Sequence, residues 1–398
     1  MKAYILKTSK QIEPFNDHPG NCLISNTRLI EIQQSILKEL AIDFKFLEKT
    51  DGLDDREEYI VFTDSLFFNR KLLETFIRES RKLRRRTSCA LKTGITTLRT
   101  VANIQDVIRQ SDSVEYQLHY VPEGPSEHSP EPVVLDPDRF SESLPMPEHM
   151  FGLPEYRVPL PDKIAVQIDH WVNLWSANIA SLLSEVSKLK GASKFKLLGL
   201  AARALSINQW KILHKVNHIG KNCDIHPSAY IEGSIIGDNV RVGAETVIRE
   251  SKIGNNCNIE NGVVINFSVL GENCYIGDGA VIRYSVMYPG AFTISSLISC
   301  SILGRDTFLG DGVTLTDFRF DGQPIKVMKN KTAINTDNTF IGSCLGHRVY
   351  LGAGTIVSSG RSVPNGLRII PENSRVISKF DADGASPGFQ RVAPLNQA

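Results

Sequence analysis

The sequence predicts an α/β domain at the N-terminus, a helical linker and a C-terminal parallel β-helix. Three observations carry this. Aliphatic residues recur at a step of five or six from residue 225 onward, 20 of the 29 glycines lie between Gly220 and Gly366, and ten of the 19 prolines lie between Pro122 and Pro161. The glycines therefore mark a repeat array, and the prolines mark a break before it.

The first zone, residues 1–121, reads as α/β. Tyr4-Ile5-Leu6 suits a first strand, and residues 28–40 (RLIEIQQSILKEL) have helical apolar spacing. EEYIVFTD reads as a buried parallel strand ending at Asp64, and residues 69–86 continue as a helix ending in the basic run RKLRRR. The whole suits a half-size doubly wound sheet. Residues 122–162 lack periodicity and predict a Pro-rich connection.

Residues 163–219 read as helical, with Trp171, Trp175 and Trp210 and a basic amphipathic run, KFKLLGLAARALSINQWKILHKV. That pattern allows contact with a membrane surface or an acyl carrier protein, and equally a linker helix packing one domain on the other.

Residues 220–380 form the array. The aliphatic series runs Ile225, Ile231, Ile236, Val242, Ile248, Ile253, Ile259, Ile265 and onward, with small or β-branched residues such as Cys223, Val240, Cys257 and Cys274 two positions earlier. A period of six fits neither an amphipathic helix nor an alternating strand. It fits a three-faced coil in which both positions point inward and Gly or Asn turns the corners. Residues 317–340 interrupt the period with a polar, Lys-rich loop, and a loop leaving a rigid scaffold is where sites are built. Residues 381–398 predict a flexible tail.

Composition narrows the class. Lys+Arg 45 against Asp+Glu 44 gives a net charge of +1, so no electrostatic case for nucleic-acid binding arises. No apolar run reaches the roughly 18 residues of a spanning helix. The start has the look of a strand rather than a signal peptide. The seven cysteines show no CxxC and no metal-ligand spacing, which predicts reduced thiols in a cytoplasmic protein.

The array resembles the left-handed β-helix acyltransferases with hexapeptide repeats. With the first zones it resembles sugar-phosphate nucleotidylyltransferases that carry such a β-helix, of the N-acetylglucosamine-1-phosphate uridylyltransferase/glucosamine-1-phosphate acetyltransferase type. DFRFDGQPIKV is similar to that family's N-x-R-H-D-G-x-x-V-K-V run, WVNLWSANIASLL to its linker helix, and EEYIVFTDSLFFNRKLLETFI to a strand ending in a metal-binding Asp followed by a helix.

The resemblance implies a left-handed β-helix, a homotrimer, and acyl transfer from an acyl-CoA or acyl-carrier thioester to an amino sugar, sugar phosphate or nucleotide sugar. Arg319, Asp321 and Lys326 then become substrate-binding candidates, and Arg361 and Asn365 candidates for the donor's adenosine end. The family histidine falls at position 320, where this chain has Phe320, which cannot accept a proton. His347, just after the loop returns to the array, is the candidate general base.

Asp64 stands where the family places a Mg²⁺ ligand. The run after the first strand, LKTSKQIEPFNDHPGNCL, has no glycine before Gly20 and no Arg, and no second carboxylate at a later strand end is convincing. The first domain is therefore expected to be a degenerate, nucleotidylyltransferase-like platform. Two further readings stand beside acyl transfer: a non-catalytic sugar-nucleotide-binding, regulatory or scaffold protein, and a divergent nucleotidylyltransferase.

Overall fold

A computed structural model describes residues 1–49, 53, 56–124, 129–151, 154–191 and 216–372. The N-terminal strands are β1 (Lys2–Leu6), β2 (Asp43–Leu47), β3 (Tyr59–Thr63), β4 (Leu66–Phe68), β5 (Thr87–Lys92), β6 (Ser113–Val121) and β7 (Glu131–Leu135). They are joined by α1 (Leu29–Glu39), α2 (Arg70–Leu83) and the short α3 (Ile95–Arg99). The sheet order is β7-β5-β6-β3-β1-β2. β1 pairs in parallel with β2, to which α1 connects it, and with β3, while β6 runs antiparallel between β3 and β5, so the sheet is mixed. Every residue of β3 is buried, which is why its sequence reads as a continuous apolar run.

Residues 122–162 carry more order than a connection. Glu131–Leu135 joins the main sheet as edge strand β7, and β8 (Asp138–Pro145) pairs antiparallel with β9 (Glu155–Pro161). Proline is tolerated at such edges because the missing N–H faces away from a ladder, so the proline cluster disguised these strands. Strand β10 (Ala165–Gln167) then pairs with β4.

Helix α4 (Trp171–Lys190) opens on His170, whose Nδ1 accepts the Val172 N–H at 3.3 Å, and ends with Lys188 and Lys190 in its last turn. It is buried on nearly all sides because it lies between the sheet domain and the β-helix: Trp171 is fully buried, and Trp175 Nε1 donates to the Tyr284 carbonyl at 2.6 Å. This part of the helical middle packs domain against domain. The basic run that suggested a lipid or carrier-protein surface lies almost wholly outside the described residues, as does the predicted tail.

From His218 to Ile369 the chain winds into three parallel sheets of eight, eight and seven strands, the arrangement of a left-handed parallel β-helix. One column of aligned residues runs Ile236, Ile253, Leu270, Met287, Leu303, Leu345, and all of them are buried. The small-residue positions point inward too: Val240, Cys257, Val263, Cys274 and Ala280 are buried, and Cys257 Sγ sits 3.1 Å from the Gly271 carbonyl. All seven cysteines are free thiols. Asn239, Asn256 and Asn273 turn successive corners with φ of 57°, 57° and 58°, and Asn239 Nδ2 donates to Asn256 Oδ1 in the next coil at 3.1 Å. A Cβ on Gly254 would lie 2.6 Å from the Gly271 carbonyl carbon, so only glycine lets the coils approach there. No helix among the described residues is long and apolar enough to cross a membrane.

The face of the prism carrying Val269, Val286, Ile302 and Cys344 is covered. These side chains share one core with Trp171, Leu174 and the loop residues Ile12 and Phe15.

Candidate functional site

His347 does not stand free in a groove. Its Nδ1 accepts the Arg305 backbone N–H at 2.9 Å, and its Nε2 lies 3.2 Å from Asp17 Oδ2. An acceptor at Nδ1 puts the ring proton on Nε2, which donates to that carboxylate. Arg305 Nη1 also reaches Asp17 Oδ2, at 2.8 Å. Phe15 packs on the imidazole with centroids 5.0 Å apart and stacks on Tyr288 at 5.5 Å. Asn365 completes the cluster: Oδ1 accepts the His347 N–H at 2.7 Å, and Nδ2 donates to the Phe15 carbonyl at 2.8 Å. The side chain of His347 is only 13% exposed.

Asp17 and Phe15 belong to the loop after β1, the one that should cradle phosphates in a nucleotidylyltransferase. Here that loop is fastened to the β-helix by His347, Arg305 and Asn365. Burial pushes Asp17 up, but the hydrogen bonds from His347 and Arg305 outweigh it and hold the carboxyl below its ordinary value.

The same loop occupies Asp64. Its oxygens accept the Thr8 N–H at 3.1 Å and the Thr8 hydroxyl at 2.9 Å, and His18 Nε2 lies 3.4 Å away. Burial raises its value despite those bonds. The carboxylate thus pins a loop, and no group of three His, Cys, Asp or Glu side chains that could hold a metal occurs among the described residues. One carboxylate with a His and a Thr does not fit Mg²⁺, which seeks several oxygen ligands.

The loop 317–340 is a bracket between domains. It forms a hairpin, Lys326–Lys329 with Thr332–Asn335. Lys329 Nζ reaches the Ile104 carbonyl at 2.6 Å and Asp106 at 2.8 Å, while Lys10 bonds Asp106 and Asp169 at 2.7 and 2.6 Å. His170 Nε2 meets the Met328 carbonyl at 3.1 Å. Lys326 itself is exposed. Near the loop's start Arg319 pairs with Asp321, and Phe320 between them is wholly exposed. Arg361 is exposed on a late coil, its carbonyl accepting from Cys344. The structure therefore gathers His347 and Asn365 in one interdomain cluster, leaves Arg319, Asp321, Lys326 and Arg361 on the surface, and places Asp64 apart.

A cavity of about 490 Å³ opens where α3, the β8–β9 hairpin, α4, the β-helix and both ends of the inserted loop meet. Val158, Ile179, Ala180, Leu183 and Phe340 give it a mainly apolar wall. Its charged residues are Arg99, Arg283 and Asp317, and Asn338 adds a carboxamide. Arg99 Nη1 donates to Asn338 Oδ1 at 2.9 Å, and its guanidinium lies 4.0 Å from the Tyr156 ring centroid. Its Nε is buried without a hydrogen-bond partner, and it forms no ion pair with a described carboxylate. Burial pulls Arg99 below its ordinary value and raises Asp317 above its own, while the Cys300 thiol beside Asp317 pulls the other way.

Asp317 opens the loop whose departure from the repeat was legible. Arg99 carries no sequence signal, since only docking of α3 against the loop gives it a role.

Residues 203–291 match the family model described as the GMPPB C-terminal domain. That span is under a quarter of the chain and lies within the end of the linker and the first coils, so it supports the character of the β-helix. A crystal structure of a mutant perosamine N-acetyltransferase from Caulobacter crescentus, in complex with CoA and GDP-perosamine, is similar at 21% identity with a TM-score of 0.17. The likeness covers 44% of this chain and 60% of that one, so the chain spans less than two thirds of that protein's length. No curated protein matches. The fold rests on the strand registers above.

Proposed function

We propose that this chain is a sugar-directed transferase of the hexapeptide-repeat class. It moves an acyl group from an acyl-CoA or acyl-carrier thioester to an amino sugar, sugar phosphate or nucleotide sugar. One observation carries the reading: the loop that breaks the repeat delivers Asp317 and Asn338 into the same cavity as Arg99. That puts into one cavity a carboxyl that burial raises above its ordinary value and a cation suited to an oxyanion.

In this scheme Asp317, rather than the engaged His347, takes the proton from the acceptor's amine or hydroxyl as it attacks the thioester carbonyl. Arg99, positioned by the Asn338 carboxamide oxygen, faces the developing oxyanion. The new C–N or C–O bond forms, the C–S bond breaks, and the departing thiolate takes up the proton. The exposed cations Arg319, Lys326 and Arg361 are the candidates for phosphate contacts. A homotrimer packed through the flat faces of the prism accompanies this reading, with Phe320 projecting from the inserted loop toward a neighbour.

A regulatory or scaffold role is favoured by a different observation. The loop after β1 is committed to Asp64 and to the His347 cluster, which suits a docking platform rather than nucleotide transfer.

Thermal-shift screening of the full chain with acyl-CoAs and with UDP-, dTDP- and CDP-sugars separates the two. Stabilisation by both a thioester and a sugar ligand is expected of the transferase. Stabilisation by sugar nucleotides alone supports the regulatory role, and no shift from any ligand overturns both.

A further inference from the structure

The cavity's own chemistry points beyond a small acetyl group. Its lining is dominated by aliphatic and aromatic side chains from three separate elements: Val158 of β9, Ile179, Ala180 and Leu183 of α4, and Phe340 at the end of the loop. At about 490 Å³ it has the size of a site for a small organic ligand, far larger than two carbons need. Its charged groups are Arg99, Arg283 and Asp317, and Arg99 has a buried, unpartnered Nε and forms no ion pair among the described residues. A partly desolvated guanidinium that makes no ion pair is costly unless a ligand supplies the oxygen. The Asn338 carboxamide oxygen and the Tyr156 ring hold it in place without neutralising it.

We infer that this cavity binds an unbranched acyl chain of medium length, with the chain along the α4 and β9 wall and the acyl oxygen on Arg99. Two sources share that chemistry, a free carboxylate and a thioester. The inference deepens the transferase reading and rests on it only for the thioester source.

Isothermal titration of the full chain against acetate, butanoate, hexanoate, octanoate and decanoate, and against acetyl-, hexanoyl- and decanoyl-CoA, tests it. Affinity is expected to climb, by up to roughly fourfold per added methylene, until the cavity is filled. Ala180→Phe, on the cavity wall, is expected to flatten that climb while the far-ultraviolet dichroism is unchanged; Leu183→Trp serves the same purpose if the first variant does not fold. Arg99→Met is expected to erase the preference for decanoate over decanol, worth roughly tenfold or more.

A climb in both series supports the inference and the transferase together. A climb among the carboxylates alone supports the acyl site and counts against the transferase. Acetyl-CoA binding with no dependence on chain length overturns the acyl site and leaves the transferase standing. A climb unaffected by both the cavity-filling and the Arg99 variants places the chain elsewhere and also overturns it.

Discussion

Asp17 and His347, 330 residues apart, meet at 3.2 Å, and Arg305 bonds both of them. This contact ties the loop after the first strand to a late coil of the β-helix, so it belongs to the docking of two domains. His347→Ala and Asp17→Asn are each expected to lower stability by about 1–3 kcal/mol, because each leaves a half-buried polar partner unmatched. A double-mutant cycle by chemical denaturation should give a coupling of roughly 0.5–3 kcal/mol. Strictly additive losses would show that the two side chains do not act as a pair. If His347 were instead the general base, His347→Ala would remove turnover without touching stability.

The same carboxylate makes the docking acid-sensitive. The folded value of Asp17 is depressed, so the folded state binds its proton more weakly than the unfolded chain does. Its stabilisation is fully present above the unfolded carboxylate range, near 4, and is lost as pH falls through the folded value. The melting-temperature gap between wild type and Asp17→Asn should be widest near pH 7 and close below about pH 4. A gap that stays constant across that range would exclude the linkage.

Glu250 has the opposite sign. Burial first, and then the charges of Glu232 and Glu142, push it up to about 7, with Arg249 pulling the other way. A raised carboxyl costs stability once pH exceeds the unfolded value, and the penalty grows until pH passes about 7. Glu250→Gln should therefore raise the melting temperature at pH 8 and leave it little changed at pH 4. Equal effects at both pH values would contradict this account.

Close coil contact at the corners predicts a backbone effect. Gly254→Ala would bring its Cβ to 2.6 Å from the Gly271 carbonyl carbon, and neither backbone can yield without disturbing the coil beneath. A loss of about 1–3 kcal/mol in urea unfolding is expected. A neutral result would mean that the coils are less tightly stacked than described.

The β-helix was legible because its constraint is local and periodic. Each coil buries one aliphatic and one small residue per face, so Ile236, Ile253 and Leu270 announce the architecture by their spacing. The free thiols of Cys257 and Cys274 followed from the same rule. The strands at residues 131–161 were hidden, because edge strands tolerate the prolines that signal a linker. The site was hidden for a different reason. His347 looked available until Asp17 and Arg305 were beside it, and Arg99 looked ordinary until α3 met Asn338. Both depend on pairing between distant segments, which no spacing pattern in the chain encodes. Asp64 was found at a strand end as expected, and there it accepts hydrogen bonds from Thr8.

Thiol release tests the central claim most directly. Full-length protein is incubated with acetyl-, hexanoyl- and decanoyl-CoA and a panel of amino-sugar phosphates and nucleotide sugars, and free CoA is followed with a thiol reagent. The account predicts acceptor-dependent release that falls by roughly 10²–10⁴-fold in Asp317→Asn, with the folded structure retained. No release with any pair, or release unchanged in Asp317→Asn, would contradict it.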